Sequence, residues 1–308
     1  MGEVAGVPQI FSKFQRRKGH KSDVLTFSKP RREVNFFYSQ KSFYPLSLGE
    51  ATLQLSRLCK EYDILHFHSP RSSLWYGRKG YLAQAFGYSI FRALGKKIFL
   101  HHHGTDIRGK KERYANQYLV DKIFVSTPDL LEYSPKALWL PNPIDLEEFQ
   151  YLGIRRDINK VTIVHAPSNR KKKGTAFVLK AIEKIKKEGY NINFLLVENM
   201  PYSKVIKYYK QADIVVDQLL TGWYGMVSIE GMALGKPICV YIKENLKSYM
   251  PFMPFLNTST RNIEDNLRLL IEDCELRMKL SKKSRKYVEH VHDGNKITDK
   301  LMSIYNTC

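Results

Sequence analysis

Short β-rich apolar runs alternate with amphipathic stretches along almost the whole chain, and this alternation restricts it to parallel sheets built from βα units. In the first half, strands are expected at Val24 to Phe27, Val34 to Phe37, Ile64 to Phe67, Ile98 to His101, Ile123 to Ser126 and Ala137 to Leu140. Helices are expected there at Pro8 to Lys18, Leu48 to Lys60, Gly80 to Leu94 and Lys110 to Leu119. In the second half, strands at Val161 to His165, Asn193 to Val197, Ile214 to Val216 and Ile238 to Ile242 alternate with helices at Thr175 to Lys187, Ser203 to Gln211 and Val227 to Leu234. A chain of 308 residues is long enough for two domains with separate cores. The expected fold class is therefore α/β, with two doubly wound, Rossmann-like domains. The prolines of Pro141-Asn-Pro-Ile-Asp145 fix an extended turn and, with the polar stretch through Asn159, mark the boundary between them.

Gly222-Trp-Tyr-Gly-Met-Val-Ser-Ile-Glu-Gly-Met-Ala-Leu-Gly-Lys-Pro-Ile238 joins a glycine-bearing loop to a helix that carries one carboxylate. A helix starting at Gly225, Met226 and Val227 presents unpaired N–H groups and the positive end of its dipole to an anion, and Gly225 lets a ligand approach the backbone closely. Glu230 lies about one and a half turns further on, where a carboxylate can accept hydrogen bonds from a vicinal diol such as a ribose. Gly235-Lys-Pro ends the helix and a buried strand follows. The segment reads as a phosphate and ribose site; the bland alternative makes Glu230 an exposed helix residue.

At these residues the chain resembles the retaining GT-B glycosyltransferases of family 4. Glu230-Gly-Met-Ala-Leu-Gly-Lys-Pro237 matches the second half of the Glu-x7-Glu element of that family closely, whereas Gly222 stands where the first Glu belongs. The resemblance implies that Glu230 binds the donor ribose, that Tyr224, Gly225, Met226 and Val227 contact phosphate or sugar, and that Gly222 leaves the usual contact to the transferred sugar unassigned. Asp217, five residues earlier, either substitutes for that Glu or caps the loop as a strand-end residue. The Pro-Asn-x-x-Asp run at 141–145 resembles the family's hinge into the donor domain. The domains are then 1–148 on the acceptor side, 149–290 on the nucleotide-sugar side, and a helix in 291–308 that returns toward the first domain.

The second domain opens with Val161-Thr-Ile-Val-His-Ala-Pro-Ser-Asn-Arg-Lys-Lys-Lys-Gly-Thr175. A buried strand feeding a loop dense in cations puts fixed positive charge at a strand's carboxyl end, where ligands bind in such sheets. This suits a diphosphate leaving group, whose developing charge paired cations stabilise without a metal ion. Lys173-Gly174 matches the family's Arg-x4-Lys-Gly pattern. Strict spacing puts Ser168 at the Arg position, so Arg170 supplies the second cation only if the loop is rearranged, with Asn169 between them. The alternative is a merely solvated basic loop.

In the first domain, Asp63-Ile-Leu-His-Phe-His68 and Ile98-Phe-Leu-His-His-His-Gly-Thr-Asp106 both read as strands running into loops. Alternation puts His66 and His68 on one face, and His101 and His103 on one face. Such a set has the residue types for zinc, but no Cys or Glu joins it at metal-ligand spacing, and the family reaction is metal-independent, so no metal site is expected. His103-Gly104 matches a His-Gly element that lies near the transferred sugar and acceptor in the family, which makes His103 a catalytic candidate and His68 and Asp106, with Arg108 behind them, acceptor-side candidates. Structural hydrogen bonding is the competing role for His66 and His101. Gly2-Glu-Val-Ala-Gly-Val-Pro-Gln9 resembles the family's first loop, placing Gly6 and Val7 on the acceptor side; Pro8 suits the start of a helix. The strand that should precede this loop is missing. The expectation is that the natural reading frame begins upstream or that another segment has repaired the sheet, and that the chain as it stands is then unstable or poorly active.

The net charge of +20 favours polyanions such as nucleotide diphosphates, anionic lipid headgroups or nucleic acid. No nucleic-acid-binding signature accompanies it, so no specific nucleic-acid partner is expected, and peripheral association with an anionic membrane fits better with the family's often lipid-linked acceptors. No apolar run is long enough to span a bilayer, and the polar N-terminus has no signal-peptide core, so a cytoplasmic protein is expected, soluble or at the inner face of the membrane. Cys59, Cys239, Cys274 and Cys308 are widely spaced and read as reduced thiols. Leu267, Leu269, Leu270, Leu276 and Leu280 give the tail an apolar helical stripe. The expected activity is metal-independent, retaining hexosyl transfer from a nucleotide-diphosphate sugar to the hydroxyl of a glycan or lipid-linked acceptor, with no cofactor beyond the donor substrate. A non-catalytic nucleotide-sugar-binding relative acting as a partner subunit is the alternative, and a nucleic-acid-binding protein comes third.

Overall fold

The computed structural model describes residues 6–26, 41–42, 59–69, 80–155 and 159–308. The chain forms two compact units: Met1–Pro143 with Gly294–Cys308, and Ile144–Asp293.

The first unit contains helix α1 (Val7–Arg17), strands β1 (Leu25–Thr26), β2 (Lys41–Ser42) and β3 (Ile64–His68), helix α2 (Gly80–Ala93), strand β4 (Lys97–His102), helix α3 (Tyr114–Leu119), strands β5 (Lys122–Val125) and β6 (Leu138–Trp139), and helix α10 (Gly294–Thr307) at the end of the chain. Strands β3-β4-β5-β6 form a parallel sheet in that order, and β1 pairs with β2. Alternation along β4 sorts its side chains: Ile98 and Leu100 join Tyr88, Phe91, Ile123, Val125 and Leu130 in one core. Phe99 and His101 face the other way, toward Phe11 of α1, Phe124 and Tyr305 of α10. α1 starts at Val7 behind Gly6, whose φ of 74° is left-handed, so Pro8 is the second helical residue.

The second unit contains β7 (Val161–His165), α4 (Arg170–Lys173), α5 (Thr175–Lys187), β8 (Ile192–Leu196), α6 (Tyr202–Gln211), β9 (Ile214–Val216), α7 (Met226–Ala233), β10 (Ile238–Val240), β11 (Leu256–Asn257), α8 (Ile263–Glu272) and α9 (Cys274–Val291). Its parallel sheet has the order β11-β10-β9-β7-β8. The chain leaves β7 for β8 on one side and returns to β9 on the other. The carboxyl ends of β7 and β9 therefore flank a topological switch point, where such sheets bind ligands. Ile163, Ile182, Ile214, Val216 and Leu267 belong to the core around this sheet.

Both units are thus parallel α/β, as the alternating pattern requires. The differences are local. The helix expected from Lys110 begins only at Tyr114, because Glu112 is engaged in a side-chain cluster and Arg113, the residue before the helix, is extended. The cationic loop expected after β7 contains a short helical turn, α4, capped by Asn169, whose side chain accepts from the Lys172 amide at 2.9 Å. Within the leucine stripe, Leu267, Leu270 and Leu280 are buried, while Leu269 is exposed because it points away from the sheet. The strand expected at Val34 to Phe37, most of the helix expected at Leu48 to Lys60, and the gap expected ahead of α1 lie outside the described residues.

Candidate active site

The second unit assembles its site at the switch point. β7 ends at His165, which bonds the Val216 carbonyl of β9 and Thr175 Oγ1 at the start of α5, both at 2.9 Å. This buried imidazole fastens the two strands to the helix, and burial lowers its pKa so that it stays neutral. Lys173 closes α4, and Gly174 turns the chain with a φ of 77°, packed so that an added Cβ would meet Leu219 and Leu220 at 3.3 Å. Lys173 Nζ then reaches Asp217 Oδ1 at 2.8 Å.

Asp217 sits one residue beyond β9 and occupies the start of α7. Its Oδ2 accepts from the Gly225 amide at 3.0 Å and the Ser228 hydroxyl at 2.7 Å. Burial alone would raise this carboxyl, but Lys173 and the two donors outweigh it and hold the pKa below the ordinary aspartate value. An anion thus already lies at the helix N-terminus, and it is the protein's own carboxylate. A Cβ at Gly225 would stand 3.3 Å from Lys173 Nζ and 3.5 Å from Asp217 Oδ2, so glycine keeps this corner open. Met226 and Val227, half-exposed, begin the helical turn beside it.

Glu230 is buried, which rules out the exposed-residue reading. Tyr202 donates to its Oε1 at 2.6 Å. Burial raises its pKa to about 8; the Tyr202 hydrogen bond opposes this, and the charges of Asp217 and Glu148 add to it. Glu230 is therefore largely protonated at neutral pH, able to donate as well as accept.

Arg170 is exposed and bound to Glu198 by three contacts of 2.6–3.1 Å, so no described contact joins it to Lys173 or Asp217. Ser168 and Asn169 are exposed at the mouth of the same turn. The ring of Tyr224 is buried with its hydroxyl on Tyr287 (2.9 Å) and His292 (2.8 Å), leaving its backbone as the part near the loop. Gly222 has a φ of 88°, and an added Cβ would stand 2.5 Å from the Lys243 side chain. The loop turns here in a form that suits glycine rather than the glutamate of the resemblance.

In the first unit, His68 Nδ1 lies 3.0 Å from His103 Nε2, and the His101 and His103 rings stack with centroids 4.2 Å apart. Gly6 and Val7 begin α1, whose Phe11 ring lies 6.1 Å from that of His68. Asp106 faces elsewhere. It accepts from the amides of His103 (3.1 Å) and Gly104 (2.8 Å) and from His102 Nδ1 (2.9 Å), holding the loop shape. Arg108 is paired with Asp129.

Sequence reasoning missed His102, which alternation turns to the opposite face of β4 from its neighbours. It lies between Asp106 and, at 2.6 Å, Glu112. Burial disfavours the imidazolium, but the two carboxylates override it and lift the pKa to about 9. Tyr202 and Ser228 were missed as well. Ser228 was legible as the residue three positions after the helix-starting Gly225; Tyr202 had no local signal, since it arrives from another helix.

The comparisons agree with this architecture. The family model described as Glycosyl transferases group 1 matches residues 178–287, a span that includes Asp217, Gly225 and Glu230. No curated protein matches the chain. Among solved structures, the chain is similar to sucrose-phosphate synthase from Thermosynechococcus elongatus, with 13% identity and TM-score 0.63 over 96% of this chain and 91% of that one. It is similar to an alpha-glucosyltransferase in complex with UDP and a 13-mer DNA, with 11% identity and TM-score 0.73 over 98% and 95%. A third is S. aureus MnaA in a co-structure with UDP, with 14% identity and TM-score 0.57 over 97% and 91%. At such identities the likeness establishes the fold, which is that of the GT-B glycosyltransferases.

Proposed function

We propose, from the premise that residues 178–287 are a glycosyl transferases group 1 segment carried on a GT-B fold, that this chain transfers a sugar from a nucleotide-diphosphate donor to an acceptor hydroxyl. The observation that carries the reading is the convergence of Lys173, the N-terminus of α7 and the buried Glu230 at the β7/β9 switch point. In this reading the donor diphosphate takes the place of the Asp217 carboxylate at Gly225 and Ser228, with Lys173 neutralising charge on the leaving phosphate. Arg170 joins it by exchanging Glu198 for phosphate, an exchange made easy by the exposure of that ion pair. Glu230 holds the ribose diol.

Metal-independent transfer with retention, in which the leaving phosphate accepts the acceptor's proton, is part of the proposal and rests on the family resemblance. So do His103 as the residue near the transferred sugar, a glycan or lipid-linked acceptor, and work at the inner face of a membrane; no helix among the described residues is long and apolar enough to cross one. The non-catalytic alternative draws on one observation: Gly222 offers no side chain where the family places its first Glu.

The test is thermal stabilisation by UDP, GDP and ADP sugars beside a Glu230→Ala control, followed by assay of nucleotide release. UDP sugars come first because two of the similar structures hold UDP. A shift with one nucleotide that vanishes in the variant, with turnover, supports the enzyme; the same shift without turnover supports the non-catalytic relative. Polyanion binding that survives Glu230→Ala and weakens steeply with salt would instead reflect the net charge of +20 alone.

A further inference from the structure

The first unit holds an aggregate of imidazoles of which the proposed transfer uses only His103. His66 and His68 on β3 stand beside His101 on β4, because the parallel register pairs His66 with Phe99 and His68 with His101. One ring nitrogen from each of the three lies within 4.8 Å of the other two. His66 stacks on His68 and on His101, with centroids 4.4 Å and 5.6 Å apart, and the His68 and His101 rings lie tilted to one another at 5.4 Å.

Buried polar atoms normally find partners, and an exception calls for a reason. Here His66 Nε2 and both ring nitrogens of His101 are buried with no hydrogen-bond partner among the described residues. His101 is fully buried. Ordinary core histidines are satisfied, as His165 and His102 in this same chain are.

We propose that His66, His68 and His101 bind one divalent transition-metal ion of the zinc class. The donor set fits. Imidazole suits zinc, cobalt, nickel and copper, and three histidines with an open fourth position form a known tetrahedral zinc arrangement. Outer partners are present too. Tyr305 lies 2.5 Å from His66 Nδ1, and His103 Nε2 lies 3.0 Å from His68 Nδ1, which leaves the Nε2 atoms of His66 and His68 to face the ion. Ligand atoms about 2.0–2.1 Å from a tetrahedral ion stand about 3.3 Å apart. Closure from 4.8 Å therefore requires the rings to turn about χ2 out of their stack, a side-chain motion that leaves β3 and β4 in place. The ion would tie β3 to β4 and, through Tyr305, to α10. This inference is independent of sugar transfer.

The decisive measurement is titration of the chelator-stripped full chain, carrying no polyhistidine tag, with Co²⁺. We expect a visible ligand-field band that saturates at one equivalent and is abolished by Zn²⁺. His66→Asn and His68→Gln should each weaken binding about 100-fold or more, and Tyr305→Phe, which removes only an outer partner, about tenfold. His20→Gln, at an exposed position, should change nothing. Absence of a saturable site, or full affinity in both ligand variants, overturns the proposal. If those variants do not fold, the zinc-edge absorption spectrum of the wild-type chain decides: the scattering of three imidazoles upholds the site, and fewer than three overturns it.

Discussion

Asp217 in the second unit meets Lys173, the Gly225 amide and the Ser228 hydroxyl, whereas His66 and His101 in the first unit meet chiefly the faces of other rings. Both groups sit in parallel α/β sheets and both are buried. Asp217 is ionised because donors surround it, while His66 and His101 are neutral because burial strips water from the charged form and neighbouring imidazoles disfavour it further. The contrast repeats on one strand. His101 and His102 are adjacent in β4, yet His101 is held neutral and His102 is held charged between Asp106 and Glu112. Burial pushes every such group toward its neutral form, and the partners decide whether that push is overcome. A ligand at the second site must compete with an internal carboxylate. A ligand at the first would supply what the protein lacks.

The largest effect expected from breaking this contrast is at Lys173. Lys173→Ala strands Asp217 as a buried, unpaired charge and should lower unfolding free energy by about 3–5 kcal/mol. Adding Asp217→Asn should restore much of that, so a double-mutant cycle by denaturant unfolding measures the coupling. Independent, additive losses would refute the pairing.

His102→Gln comes next, at about 3 kcal/mol near neutral pH, since hydrogen bonds to charged groups contribute about 1.5–3 kcal/mol each and Gln cannot serve both carboxylates as a cation. The folded pKa of about 9 lies above the ordinary histidine value of 6.5, so the native state binds more protons between them. The stabilisation is complete below 6.5 and is lost as pH rises through about 9. A plot of stability against pH should fall across that window in the wild type and flatten in the variant.

Glu230 gives a smaller, graded signal. Its folded pKa of about 8 exceeds the ordinary glutamate value of 4.5, so the unfolded state releases its proton first and wild-type stability should decline as pH rises from about 4.5 to 8. Glu230→Gln should remove that slope. If the diol of a donor binds the carboxylate form, donor binding should also release a proton near neutral pH, measurable by calorimetry in buffers of different ionisation enthalpy.

The smallest change is Gly222→Ala. The left-handed φ of 88° costs an alanine about 1–2 kcal/mol, even where the Lys243 chain can move aside. A neutral result in thermal unfolding would show that the loop can accept a side chain, and so would reopen the question of why the family glutamate is absent.

Much of this was legible in order along the chain. Val161–His165, Thr175–Lys187 and Ile214–Val216 formed where periodicity placed them, because an apolar period of two or 3.6 is a property of neighbours in sequence. The start of α7 at Gly225 and the turn at Gly235 were readable for the same reason. The three histidines were visible as strand residues on common faces. Their convergence was not, since spacing within a strand says nothing of the register that sets His68 beside His101.

The sequence by itself determined the alternating α/β order, the glycine-led helix and the presence of Lys173, Asp217 and Glu230 near strand and helix ends, all consequences of local backbone preference and side-chain period. Tertiary structure alone decided how those groups are charged. Tyr202 reaches Glu230 from another helix, Lys173 reaches Asp217 from the helical turn α4, and Glu112 closes on His102. Protonation depends on desolvation and on charges within a few ångströms, and such neighbours are fixed only when distant segments pack together.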